Sequence, residues 1–137
     1  MSGDVIRVRL SHGETGWGKR LSGNRIRVEN IPFEGKFNYG DVVEIASTDK
    51  WGLVQLGRVL QRKFSGRSIV RYPAPFEKNY RTLVRAFEAE DVACEGATEG
   101  MMMVAHKTSF DPIAIAKTVG IVVRSRADNI RRSDMLN

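Results

Sequence analysis

The chain has 137 residues, 42% of them hydrophobic and 28% charged, which is ordinary for a globular protein of one compact unit or two joined halves. Cys94 is the single cysteine, so an intrachain disulfide is excluded, and no apolar run approaches the roughly 20 residues that cross a bilayer. Because the first residues lack the apolar centre of a signal peptide, we expect a cytoplasmic protein with no membrane contact.

The net charge of +6 is confined to the first part of the chain. Residues 1–72 hold 13 Lys and Arg against 7 Asp and Glu, whereas residues 73–137 hold 9 of each. A basic region attracts polyanions through the field it makes. A modest positive charge is also a common solubility feature of a small domain, so the charge alone does not decide between these interpretations.

The first half is predicted to consist of short strands joined by glycine-rich turns. Apolar and basic residues alternate from Ile6 to Arg9, as expected of a half-buried strand. Further strands are predicted at 14–21, 25–28, 41–45, 52–63 and 67–72. This pattern predicts a small SH3-like barrel or a curled antiparallel sheet.

The second half alternates helices with strands. Phe76, Tyr80, Leu83 and Phe87 share one helical face and predict a helix over 76–90. Asp111 followed by Pro112 predicts the start of a second helix, over 112–119. Strands are predicted at 92–95, 101–106 and 121–123.

Counting the 67–72 strand with these elements gives the order β-α-β-β-α-β, which is typical of a ferredoxin-like fold. The same strand could instead belong to the barrel. We therefore expect an α+β protein with a basic, barrel-like part over 1–72 and an α/β part over 73–123. A basic C-terminal tail over 124–137 is expected to be frayed or partly helical.

Residues that carry chemistry are sparse. His12, His106 and Cys94 do not have the spacing of metal ligands, so we expect no metal site, no cofactor and no catalytic residues. His106 and Cys94 could approach each other across a hairpin, but a buried strand histidine beside a core thiol is the simpler interpretation.

Arginines mixed with aromatic residues are the strongest functional signal. Basic residues beside exposed rings are typical of barrels that hold single-stranded nucleic acid. The candidate residues for binding RNA or DNA, with five basic side chains expected on two paired strands, are Arg58, Arg62, Lys63, Arg67, Arg71, Trp17 and Trp51. Arg7, Arg9, Arg25 and Arg27 lie on other predicted strands. The rings could instead pack the core and close the ends of the barrel.

Two further functions stay open. The chain could be a protein-binding module, such as an inhibitor, immunity or adaptor protein, that uses a sheet edge or its Met and aromatic surface. It could also be a small-ligand binder or an enzyme with a pocket between the two halves, lined by Arg67, Asp41 and His106.

The central stretch RIRVENIPFEGKFNYGDVVEI, followed by RVLQRKFSGRSIVRY, resembles the uncharacterised bacterial family named domain of unknown function 4265. The resemblance covers roughly residues 14–123, and the family often has a histidine where this chain has Arg67. It implies an α+β fold and no particular activity. The residues that match are Ile31, Pro32, Phe33, Tyr39, Gly40, Asp41, Val42, Ser65, Gly66, Ser68 and Arg71.

Overall fold

The computed structural model describes residues 4–129, and side chains as far as Ala127. Within that range the chain divides into two units, one that ends at Phe64 and a second formed by Ser65–Asn129. Each unit has its own sheet and its own hydrophobic core. With five strands in one sheet, four in the other and two helices, the expected α+β class is confirmed.

The first unit is a closed five-stranded barrel. Its strands are β1 (Val5–Ser11), β2 (Glu14–Arg20), β3 (Arg25–Val28), β4 (Val42–Thr48) and β5 (Val54–Gln61). Consecutive strands pair antiparallel, and the barrel closes where β1 and β5 run parallel, with Val8 opposite Val54. Closure leaves no free sheet edge in this unit.

Alternation along the strands separates the inside of the barrel from its outside. Even-numbered residues of β1, β2 and β3 face inward, and the buried barrel core contains Val8, Leu10, Ile26, Val28, Phe37, Val43, Val54 and Val59. Gly16 and Gly18 also face inward. A Cβ at Gly16 would lie 2.6 Å from Leu10 Cδ1, and one at Gly18 would lie 2.7 Å from Ile26 Cδ1. The glycines on either side of Trp17 therefore make room for core side chains.

The second unit is a four-stranded antiparallel sheet with two helices. Its elements are β6 (Gly66–Arg71), α1 (Phe76–Glu88), β7 (Ala93–Thr98), β8 (Met101–His106), α2 (Pro112–Thr118) and β9 (Arg124–Asn129). The spatial order is β7-β8-β6-β9. Leu83 and Phe87 of α1 and Ala116 of α2 pack with Val70 and Met102 of the sheet in one core.

The helix predictions are confirmed. Leu83 and Phe87 are the buried face of α1, and the chain enters that helix after Pro75. At α2, Asp111 Oδ1 accepts a hydrogen bond of 3.2 Å from the backbone N–H of Ala114, and Pro112 occupies the first turn. Across residues 4–129 no helix is long and apolar enough to span a bilayer.

Two predictions near the C-terminus are wrong. Residues 121–123 form no strand, although Ile121 and Val123 are buried in the core. Residues 124–129 instead form β9, which pairs with β6. Backbone pairing with β6 stabilises this segment without an apolar alternation of its own. The remainder of the expected tail, 130–137, lies outside the described residues.

The expected pairing of the two strands around Ser65 and Gly66 is also wrong. The neighbours of β5 are β4 and β1, whereas β6 lies between β8 and β9. A strand has only two edges, and barrel closure uses both edges of β5. The 67–72 strand therefore belongs to the second sheet, and the second unit begins at Ser65, inside the range 1–72 expected of the barrel-like part.

Candidate nucleic-acid interface

The outer surface of β1, β2 and β3 carries several cations and one exposed aromatic ring. Because even-numbered residues face the core, the odd-numbered residues point outward. We call this surface the basic face; it consists of Arg7, Arg9, Trp17, Lys19, Arg25 and Arg27. The pairing register places Arg7 directly opposite Trp17, and Lys19 directly opposite Arg27. Side chains paired in this way are within contact distance across the strands.

Trp17 is 45% exposed and has Arg7 opposite it on β1, while on its other side the backbone N–H of Glu29 donates a hydrogen bond of 2.9 Å to the Trp17 carbonyl. The guanidinium of Arg7 lies 5.1 Å from the centre of its ring, within the range of a cation–π contact. Arg7 also donates a hydrogen bond of 2.7 Å from Nη2 to Thr15 Oγ1. The ring is thus held beside a positive charge on the outside of the barrel, rather than packed in the core.

The other cations of the basic face differ in whether an acidic side chain compensates their charge. Arg27 donates from Nε to Glu29 Oε2 at 2.8 Å, and this hydrogen bond raises the pKa of its guanidinium. Arg9 donates from Nη1 to the carbonyl of His12 at 3.1 Å and keeps its full charge. Lys19 and Arg25 make no side-chain hydrogen bond or ion pair with any residue in the range 4–129, so their charges are available to a ligand.

Three candidate cations are exposed but are not members of the basic face. Arg58 on β5 faces the Glu44 carboxylate, with Nε 3.3 Å from Oε1, so its charge is largely compensated. Lys63 follows β5 and places its ammonium 5.2 Å from the centre of the Phe64 ring. Arg71 ends β6 in the second sheet, opposite Arg124 of β9.

Trp51, the other aromatic candidate, lies at the turn between β4 and β5. It is 81% exposed, and the Lys50 ammonium lies 4.8 Å from the centre of its ring. Its ring is therefore accessible to a stacking partner, but it is not part of the basic face.

Two of the candidate arginines are not surface residues. The Arg62 side chain is 5% exposed and is held by the Asp41 carboxylate, and Arg67 on β6 is 1% exposed. Neither guanidinium is accessible to a phosphate backbone in this structure. Asp41, Arg67 and His106 are all buried, but Asp41 and His106 belong to different units.

The basic candidates therefore do not form one surface, whereas the basic face does. Its arginines were recognised in the sequence only as members of other strands, and Lys19 was missed. The signal was present: Trp17 and Lys19 occupy alternate positions of one strand, in phase with Arg7 and Arg9 on the strand before it. Recognising it required the pairing register, which the sequence does not fix.

Ser68 and His106 form a buried pair. Ser68 Oγ lies 2.7 Å from His106 Nε2, while Nδ1 of His106 lies 2.7 Å from the carbonyl of Lys107. That carbonyl accepts the Nδ1 proton, so Nε2 accepts the proton of Ser68. Ser68 is 1% and His106 2% exposed, which leaves no room for a substrate.

Cys94 does not share a cross-strand pair with His106, since the residue opposite it is Val104. Burial, with a smaller contribution from Glu88, raises the pKa of the Cys94 thiol to about 12. The thiol is therefore protonated and a poor nucleophile at neutral pH. Within the described range, no group of three or more His, Cys, Asp or Glu is placed to hold a metal ion.

Comparisons with known proteins identify a shared fold. No family model matches the chain, and no curated protein matches it. Among solved structures, the chain is similar to a hypothetical protein from Neisseria gonorrhoeae, described as having a novel crystal structure. The two are 13% identical, the match covers 92% of this chain and 93% of that one, and the TM-score is 0.52. The two chains therefore share a fold across nearly their whole length.

Proposed function

We propose that this protein is a non-enzymatic binding module that holds single-stranded RNA or DNA on the basic face of its barrel. The observation that carries the proposal is Trp17, which is exposed opposite Arg7, with Lys19 two residues along its own strand and Arg27 opposite Lys19. A nucleic acid has a phosphate for the cations of this surface to bind and a base on which the ring can stack.

The physical argument rests on two contributions. Cations neutralise phosphates and release counterions, which gives affinity that falls with salt. A ring that stacks on a base contributes about 1–3 kcal/mol whatever the base is. Outward residues on one strand repeat at about 6.8 Å, and neighbouring strands lie about 4.8 Å apart, so neighbouring side chains of the basic face lie within the reach of one bound strand of nucleic acid.

The fold assignments and the location belong to the same proposal. The order β7-β8-β6-β9, with a helix in each of the two crossovers, supports a ferredoxin-like second unit. The small closed barrel supports an SH3-like first unit. We also propose that the chain belongs to the family named domain of unknown function 4265. A cytoplasmic location is a further proposal, and the single unpaired cysteine favours it.

The test is fluorescence anisotropy of labelled single-stranded RNA and DNA across a salt series. We expect the logarithm of the affinity to fall linearly with the logarithm of the salt concentration, by about 0.7 per phosphate neutralised. The double variant Lys19→Glu and Arg25→Glu removes two cations and should reduce the slope by about 1.4. Reversal at Arg62 or Arg67 would not be informative, because both side chains are buried.

The matched control is the double variant Lys78→Glu and Lys107→Glu, which changes the net charge equally on exposed residues of the second unit. It should leave most of the affinity intact. Equal losses in the two double variants would mean that only net charge matters, and absence of binding at low salt from the folded protein would overturn the proposal.

A protein-binding function is the second candidate, and one observation favours it. Ile113 and Val119 at α2 and Val122 just beyond it are 49%, 39% and 80% exposed. Exposed apolar side chains close together in the chain are typical of contact surfaces. A complex that survives nuclease treatment but is lost in the Val122→Lys variant would support this function.

A further inference from the structure

An aromatic groove lies in the second unit, whereas the basic face belongs to the first. It is lined by Tyr72, which follows β6, by Phe76 and Tyr80 of α1, and by the end of β7 from Gly96 to Glu99. Its volume is about 330 Å³, within the usual range of small-molecule sites. The groove uses no residue to which the proposed function assigns a role.

Three rings form the wall of the groove. The centre of the Tyr72 ring lies 6.2 Å from that of Phe76, at an interplanar angle of 78°, and 6.2 Å from that of Tyr80, at 37°. Phe76 and Tyr80 lie one turn apart on the same face of α1. The Tyr72 ring is therefore nearly perpendicular to the Phe76 ring and tilted against the Tyr80 ring, rather than stacked flat on either.

Backbone features hold these rings in place. Gly100 has a φ of +79°, and a Cβ there would lie 3.0 Å from the edge of the Phe76 ring. The backbone N–H of Tyr72 donates a hydrogen bond of 2.9 Å to the Gly100 carbonyl, and a Cβ at Gly96 would lie 3.4 Å from the Tyr80 hydroxyl oxygen. Burial raises the pKa of both tyrosines, so both phenols are neutral at neutral pH.

The charge of the groove is negative. Glu77 and Glu99 are the charged residues of its lining, and both are exposed. Glu77 forms an ion pair with Arg81 one turn along the helix. Glu99 makes no ion pair or side-chain hydrogen bond with any residue in the range 4–129, and its charge lies close enough to the Tyr72 hydroxyl to raise the pKa of that group.

We infer that this groove binds a small organic cation that carries an alkylated ammonium group, such as a trimethylammonium. An aromatic ring attracts a cation through its quadrupole, three rings line the groove, and the exposed Glu99 carboxylate supplies the opposite charge. Methyl groups on the ammonium match the apolar walls and weaken the hydration that would otherwise hold the ion in water.

Other ligand classes fit the lining less well. A hard metal ion needs six or more oxygen ligands or several retained waters, whereas the groove offers two carboxylates on opposite sides and three rings. An anion would face Glu99 and Glu77 with no cation in the lining to bind it. A neutral apolar ligand could occupy the groove, but the carboxylates would not contribute to its binding energy.

The experiment is an NMR titration of the ¹⁵N-labelled full chain with choline, compared with its uncharged analogue 3,3-dimethylbutan-1-ol. We expect saturating shifts of the Gly96, Thr98 and Glu99 amides with choline, and binding of the analogue weaker by about five-fold or more. Phe76→Leu and Glu99→Gln should each weaken choline binding by about three-fold or more. Glu90→Gln, on an exposed carboxylate at the end of α1, is the matched control and should bind as the original chain does.

Equal affinity for choline and the uncharged analogue would overturn the assignment, as would the absence of saturating shifts with choline from the folded protein. Because Phe76 and Glu99 are exposed, spectra of the variants outside the groove should be unchanged, which separates lost binding from lost folding. A trimethyllysine peptide that binds about ten-fold tighter than choline would also contradict a small free cation as the ligand.

Discussion

The guanidinium of Arg62 and the carboxylate of Asp41 form a buried, two-point ion pair. Nε of Arg62 lies 3.1 Å from Oδ1, and Nη2 lies 2.8 Å from Oδ2 of Asp41. The backbone N–H of Asn38 donates to the same Oδ2 at 2.8 Å, and Nη2 of Arg62 also donates to the carbonyl of Lys36. The ion pair therefore links the loop before β4 to Arg62, the residue that follows β5.

Asp41→Ala should strongly destabilise the protein, because it leaves a buried guanidinium without its counter-charge. We expect a loss of about 3–5 kcal/mol in the free energy of unfolding, measured by urea denaturation. The control is Glu44→Ala, which breaks the exposed pair with Arg58 and should cost at most about 1 kcal/mol. Similar losses in the two variants would contradict a structural role specific to the buried pair.

Trp17→Ala should weaken binding of single-stranded nucleic acid by about 1–3 kcal/mol, because it removes the ring that stacks on a base. Trp17→Phe keeps an aromatic face and should recover part of the affinity. Trp51→Ala is the comparison, and we expect a smaller loss there because Trp51 lies at the turn between β4 and β5, outside the basic face. Anisotropy at fixed salt measures all three, and an unchanged affinity in Trp17→Ala would remove stacking from the proposal.

Gly18→Ala should destabilise the barrel by about 1–3 kcal/mol, because the added methyl group would meet Ile26 and Val8 in a filled core. Gly13→Ala is the matched control. It lies in the turn after β1 with no atom within 4 Å of the new methyl group. Thermal or urea unfolding compares the two, and a cost no larger at Gly18 than at Gly13 would contradict the inward orientation of β2.

Cys94 should react slowly with a thiol reagent in the native protein and rapidly after denaturation. The raised pKa keeps the thiol protonated, and the thiolate is the reactive form. Because the chain has one cysteine, absorbance from the released chromophore reports on Cys94 alone. Stoichiometric labelling of the folded protein within the mixing time would show that the thiol is ionised and accessible.

The buried His106 should make stability depend on pH below neutrality. Burial lowers the pKa of its imidazole below the ordinary value, so at mildly acidic pH the unfolded chain takes up a proton that the folded chain does not. Stability should therefore be constant above the unfolded pKa, about 6.5, and fall as the pH drops from there to the folded pKa. His106→Gln should flatten this part of a series of urea midpoints, whereas substitution of the exposed His12 should not.

Much of the fold could be predicted because the signals that fix it are local. Alternation of arginine with Ile and Val over Ile6–Arg9 and Arg25–Val28 marks two barrel strands, since each of those strands has one face in water. The Asp111–Pro112 cap likewise depends on neighbours within one turn. Strand β9 gave no such signal, because it carries Arg124 and Arg126 and few apolar side chains. Its pairing with β6 stabilises it instead.

The candidate interface was harder to predict, because long-range pairing decides which side chains share a surface. Nothing in the sequence around Arg62 and Arg67 distinguishes them from the exposed Arg58. Arg62 is nevertheless buried in its ion pair with Asp41, and Arg67 lies on a strand that is paired on both edges. Lys19 and Arg27 are eight residues apart along the chain and directly opposite in the barrel. A sequence pattern gives the phase of each strand, but the register between strands is a property of the folded chain.

Closure of the barrel has a consequence for the order in which this protein folds. The seam joins the first strand to the fifth, with Val8 opposite Val54, so it is a contact of long sequence separation. During synthesis β1 to β4 emerge first and expose Val8, Leu10 and Ile26 until β5 follows. The contact order of the barrel is thereby raised, and its folding should be slow compared with that of a helical protein of equal length. Aggregation in the cell should accordingly be most sensitive to changes that delay pairing along this seam.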